Sequence, residues 1–112
     1  MDKALSLLAL ARKGGIAELG EEPVGGAARG GKAYVILVAK DASDHTWRRA
    51  KSFAAGTEQQ CVRLPWTKDQ LGAAIGRDTL AIAAITDVQM ALALVAALPQ
   101  EESNKPALEV LT

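Results

Sequence analysis

The sequence predicts an α/β protein: a three-layer α/β/α sandwich around a small mixed sheet. Three observations carry that expectation. Segments with helical hydrophobic spacing alternate with short apolar runs, the order that covers a sheet with helices. Two of those runs, Ala33–Ala39 (AYVILVA) and Thr79–Ile85 (TLAIAAI), lack polar alternation and read as strands buried on both faces. The 112 residues are 49% hydrophobic but only 4% aromatic, so one domain is expected, with a core of Leu, Ile, Val and Ala.

Taken in order, residues 3–13 read as a helix with Leu5, Leu8 and Ala9 on one face. Arg12 and Lys13 suit its C-terminal end, and Gly14 and Gly15 stop it. Ile16 to Leu19 reads as an extended link. Gly20–Arg29 reads as a second helix, with Glu21, Glu22 and Pro23 in a first turn where acids meet the dipole and proline loses no needed hydrogen bond. Gly25 and Gly26 weaken that helix by about 1 kcal/mol each relative to alanine. After the central run, Asp41 or Ser43 caps a third helix reaching about Ala55 and ended by Gly56, with Trp47, Ala50 and Ala54 facing inward and Arg48, Arg49 and Lys51 off that stripe. Cys61–Leu64 is a short strand.

Two helix starts carry capping-box patterns: Thr67 with Gln70, flanked by Trp66 and Leu71, and Thr86 with Gln89, flanked by Ile85 and Met90. The last helix is expected to end at about Leu98, before Pro99. Residues 1–98 thus form a single domain, and 99–112 (PQEESNKPALEVLT) a polar C-terminal tail.

Net charge is zero, with 13 basic and 13 acidic residues, which excludes a strongly basic nucleic-acid binder announced by its total charge. The charge is unevenly spread: residues 1–56 carry +3 and the remainder −3. The single cysteine, Cys61, forms no intramolecular disulfide, and the N-terminus lacks the layout of a signal peptide, so a cytoplasmic protein is expected. The longest apolar run, Met90–Leu98, is too short to span a membrane.

Chemistry is scarce. The stretch GAARGGKA (Gly26–Ala33) has the spacing of a nucleotide phosphate loop. Such a loop follows a strand and opens a helix, so that amides converge on phosphate. Here the order is inverted: the stretch ends a helix and feeds a strand, and Ala33 stands where a hydroxyl would hold magnesium. His45 has no companion Cys or His, so a metal site is not expected. Cys61 reads as a small core residue rather than a nucleophile. A non-catalytic protein without cofactor is expected.

Three segments rise above the generic: LLALARKGGIAELGEEPV, GGKAYVILVAKDAS and DQLGAAIGRDTLAIAAITD. In this order, over residues 4 to about 97, the chain resembles the kink-turn RNA-binding family of ribosomal proteins, and within it the bacterial YlxQ-like branch. The resemblance implies the same three-layer sandwich and recognition of a sharply bent RNA, either rRNA or another structured RNA. It implies that Gly20, Glu21 and Glu22 form the tip that enters the RNA groove. It also implies that the loop of Gly76, Arg77, Asp78, Thr79 and Leu80 packs beside that tip on flipped-out bases. By position Glu22 stands where the family has an asparagine, Pro23 where it has a glutamate and Gly26 where it has a phosphate-binding lysine. Arg29, Lys32 and Lys40 are read as a small basic rim. A monomer is expected. The alternative is a protein-interaction module that keeps the fold without specific RNA recognition, and the apolar last helix (TDVQMALALVAAL) favours it.

Overall fold

The computed structural model describes residues 2–57 and 59–99. Its elements follow the order α1 (Lys3–Lys13), β1 (Ala17–Leu19), α2 (Glu21–Arg29), β2 (Val35–Val38), α3 (Asp44–Thr57), β3 (Gln60–Arg63), α4 (Lys68–Ile75), β4 (Ile82–Ile85) and α5 (Val88–Ala96). The strands form one mixed sheet in the order β1-β4-β2-β3. β1 and β2 each pair antiparallel with β4, and β2 pairs parallel with β3.

Strand geometry explains the layers. Successive side chains on β2 and β4 point to opposite faces of the sheet, and every one is buried. Val35, Leu37, Ala83 and Ile85 face one side, where they pack with Leu8 and Ala11 of α1, Leu71 and Ile75 of α4, and Ala91 and Leu94 of α5. Ile36, Val38, Ile82 and Ala84 face the other, against Val24 and Ala27 of α2 and Ala50 and Ala54 of α3. The expected α/β/α sandwich is the structure's architecture. Among the described residues, no helix is long and apolar enough to cross a membrane.

Local chemistry sets the ends of the elements. The Asp2 carboxylate accepts from the Ala4 amide at 2.7 Å and opens α1. Thr67 and Gln70 form the full reciprocal box that starts α4. At α3 it is Ser43 that accepts from the Thr46 amide, at 3.1 Å. Asp41 instead accepts from the Lys68 amide at 2.8 Å and ties the exit of β2 to the start of α4. The phosphate-loop look-alike is a helix exit: Gly30 caps α2 and the Lys32 amide returns to the Ala27 carbonyl.

Four expectations are corrected. The link Ile16–Leu19 contains β1, an edge strand paired Ala17 to Ile85 and Leu19 to Ala83. β4 starts at Ile82 rather than Thr79, because the preceding residues run along α4. The last helix is capped by Asp87, whose carboxylate accepts from the Met90 amide at 2.8 Å, and not by Thr86. Thr86 is occupied with the sheet, its amide donating to the Ile16 carbonyl. α3 continues through Gly56 to Thr57. Of the proposed tail, only Pro99 lies among the described residues; the rest falls outside them.

Candidate functional site

The C-terminal ends of β1, β2 and β3 and the start of β4 share one end of the sheet, and the segments that carry most of the expected site residues leave from it or lead into it. Gly20 follows β1 directly. Its φ of 99° lies in a region that side-chain-bearing residues rarely adopt, so glycine is required to turn the chain from strand into helix. Its amide donates to the Ile82 carbonyl at 3.0 Å, which fixes the start of α2 against the start of β4. Lys40 leaves β2 at the same end, its amide bonded to the Trp66 carbonyl, while the Ala39 amide bonds to the Ala81 carbonyl.

The loop after α4 reaches this end by a tight path. A Cβ on Gly72 would lie 2.7 Å from both the Asp78 oxygen and the Thr79 Cα, so only glycine lets the loop backbone rest on the helix. The Arg77 amide bonds to the Gly72 carbonyl, and the Leu80 amide to the Lys68 carbonyl. The loop thus runs back along α4 and enters β4 beside Gly20. Arg77, Asp78 and Thr79 are exposed on it. Leu80 is not: at 3% exposure its side chain belongs to the core, which removes it as a contact residue.

Glu21 and Glu22 differ in role. Glu22 is exposed together with Pro23 and Gly26, one face of the first turns of α2. The carboxylate of Glu21 turns toward α3. It accepts from the Thr46 hydroxyl at 2.7 Å and lies 3.8 Å from His45 Nε2 and 3.7 Å from Arg49 Nε. Thr46 is the one buried polar side chain among the described residues, so this hydrogen bond supports its burial. The two long ion pairs, near the surface, add little. Glu21 is therefore a tie that holds the tip of α2, and it is occupied. Sequence reading missed Thr46 because its partner lies 25 residues away and no local pattern marks it.

Arg29 and Lys32 do not join the rim. Both lie at the opposite end of the sheet, where α2 ends and the chain approaches β2. A four-residue strand, about 13 Å long, separates them from Lys40. The Arg29 side chain folds back along α2, with Nη1 3.1 Å from where a Gly25 Cβ would stand. Of the expected residues, Gly20, Glu21, Glu22 and Lys40 stand at this end of the sheet, and the exposed Arg77, Asp78 and Thr79 lie on the loop that leads into it, a set of mixed charge. Burial pushes the Cys61 thiol up to about 11 against the opposing pull of Lys51 and Arg63, so it stays protonated near neutrality and is a poor nucleophile.

No protein-family model matches the chain, and no curated protein matches it. Among solved structures, 216 chains match, and a shared fold decides no function by itself. One is a protein of unknown function from Bacillus halodurans, 26% identical, with a TM-score of 0.80 over 87% of this chain and 97% of that one.

Proposed function

We propose that this protein is a non-catalytic, cytoplasmic RNA-binding protein, ribosome-associated, that recognises a sharply bent RNA. One observation carries the reading: the Gly20 amide is bonded to Ile82, so the glycine-led start of α2 and the loop that delivers β4 share one end of the sheet. These are the two segments singled out by the resemblance to kink-turn binders. Together they offer a helix N-terminus, whose leading amides have no partner within the helix, and an exposed polar loop.

The chemistry sets the mode of binding. Glu22 and Asp78 repel phosphate, whereas Arg77 and Lys40 attract it. Net charge supplies little affinity at this end, and recognition falls to shape and to base edges displayed by the distorted RNA. The binding expected is weak to moderate and salt-sensitive. The test is a titration of the full chain with a kinked RNA and with a straight duplex, at two salt concentrations. Preference for the kinked RNA, with affinity falling at the higher salt, supports the proposal. Absence of binding to either at low salt overturns it.

A second reading, a protein-interaction module, rests on a separate observation. Leu10 of α1 and Val88 and Leu92 of α5 are exposed by 57%, 45% and 64% on the opposite helical layer. A stable dimer in light scattering, together with no RNA binding, favours this reading over the first.

A further inference from the structure

We propose that the outer surface of α3 and the edge strand β3 form a second RNA contact, which grips the phosphate backbone of a duplex arm beyond the bend. The inference deepens the RNA-binding reading and rests on it for the identity of the partner. Its own observations lie elsewhere in the molecule.

The first is segregation of charge. Between Asp44 and Asp69 the sequence holds five basic residues (Arg48, Arg49, Lys51, Arg63 and Lys68) and one acidic residue, Glu58, in a chain whose net charge is zero. Among the described residues, none of Arg48, Lys51 and Arg63 forms an ion pair with a carboxylate, and all three are exposed.

The second is how these cations are held. Arg63 Cζ lies 4.5 Å and Lys51 Nζ 5.7 Å from the centre of the Trp47 ring, and Arg49 Cζ lies 5.1 Å from that of Phe53. Cations over aromatic rings are drawn to them without being neutralised. A stacked guanidinium keeps its in-plane N–H donors, the group that matches phosphate geometry. Trp47 thus gathers one cation from its own helix and one from the edge strand into a single platform, with ordering entropy already lost before binding.

The third is continuity. The Glu21–Arg49 contact joins α3, the helix that carries Arg48 and Lys51, to the start of α2, the tip proposed to meet the bend. A bent RNA held there extends a polyanionic arm away from it. The platform supplies the long-range attraction that the tip, with its carboxylates, lacks.

The test compares wild-type full chain with the triple variant Arg48→Ala, Lys51→Ala, Arg63→Ala against three RNAs: kinked with short arms, kinked with one long duplex arm, and straight duplex. The variant is expected to bind the long-arm RNA at least roughly tenfold more weakly and to lower the slope of log affinity against log salt by about 2 to 3. Short-arm binding should be nearly unchanged. Unchanged slope and affinity on the long-arm RNA overturn the proposal. If the wild type shows no preference for the kink while the variant still loses duplex binding, the tip assignment fails and this surface stands. Polyglutamate competing as well as duplex overturns the choice of RNA. A second measurement avoids mutation: acylation of Lys51 in the wild type should slow several-fold when duplex RNA is bound, and equal rates contradict the proposal.

Discussion

The two helical layers each bring a glycine into close contact, and they do so against different kinds of neighbour. In the layer of α1, α4 and α5, Gly72 touches backbone, that of Asp78 and Thr79. In the layer of α2 and α3, Gly25 faces the Phe53 ring, and a Cβ there would stand 2.9 Å from Cζ at the far end of the side chain. Backbone pinned by hydrogen bonds on both sides cannot retreat, whereas a ring edge can tilt. The first layer is filled by large aliphatic side chains such as Leu8, Leu71 and Leu94. The second relies on Ala27, Ala50 and Ala54 and on the Glu21–Thr46 hydrogen bond. Small side chains bury less apolar area and so contribute less stability each. The comparison teaches that one layer fixes the path of the 76–81 loop rigidly, while the other positions the tip of α2 with a polar tie and softer packing.

The largest expected effect comes from Gly72→Ala. It should destabilise the protein by about 2 to 3 kcal/mol in urea unfolding, because the loop backbone must move away from α4. A loss below about 0.5 kcal/mol would show that the loop is as adaptable as the other layer and would dissolve the contrast.

Gly26→Lys should act in the opposite direction. Gly26 is exposed on α2, and a Cβ there meets nothing within 4 Å. The substitution should stabilise the fold by about 0.5 to 1 kcal/mol through helix propensity. Under the RNA reading it should also tighten binding, since the lysine falls on the same face as Glu22. Greater stability without greater affinity would separate the fold from the proposed docking geometry.

The smallest effect is expected at Gly25→Ala. Tilting Phe53 costs energy and alanine in place of glycine returns about as much, leaving stability within about 0.5 kcal/mol of wild type. A loss comparable to that of Gly72→Ala would mean that Phe53 is as immobile as backbone.

Much of this fold is legible in the sequence because its signals are local. Glycines end α1 and α2, the Thr67–Gln70 box starts α4, and uninterrupted apolar runs mark β2 and β4. What escaped depends on partners far along the chain. β1 is three residues long, and nothing within Ala17–Leu19 says that it will pair with β4. Thr86 and Asp87 both suit a helix cap by type, and the pairing of Thr86 with Ile16 decides for Asp87. Thr79 and Leu80 continue an apolar run, but a close approach to Gly72 keeps them out of the strand. The same holds for the site. Gly20 and the 76–80 loop entered as candidates through the family resemblance alone, whereas Arg29 and Lys32 part from Lys40 only once the strand between them is drawn. Glu21 is diverted from solvent by Thr46 on another helix.

The central claim, that the tip of α2 and the loop after α4 act together on bent RNA, is tested most directly by following backbone amide resonances of the full chain as a kinked RNA is added. The account predicts shifts concentrated at Gly20–Glu22 and Arg77–Thr79, with Leu10, Val88 and Leu92 unmoved. Shifts confined to α1 and α5, or none at saturating RNA, would contradict it.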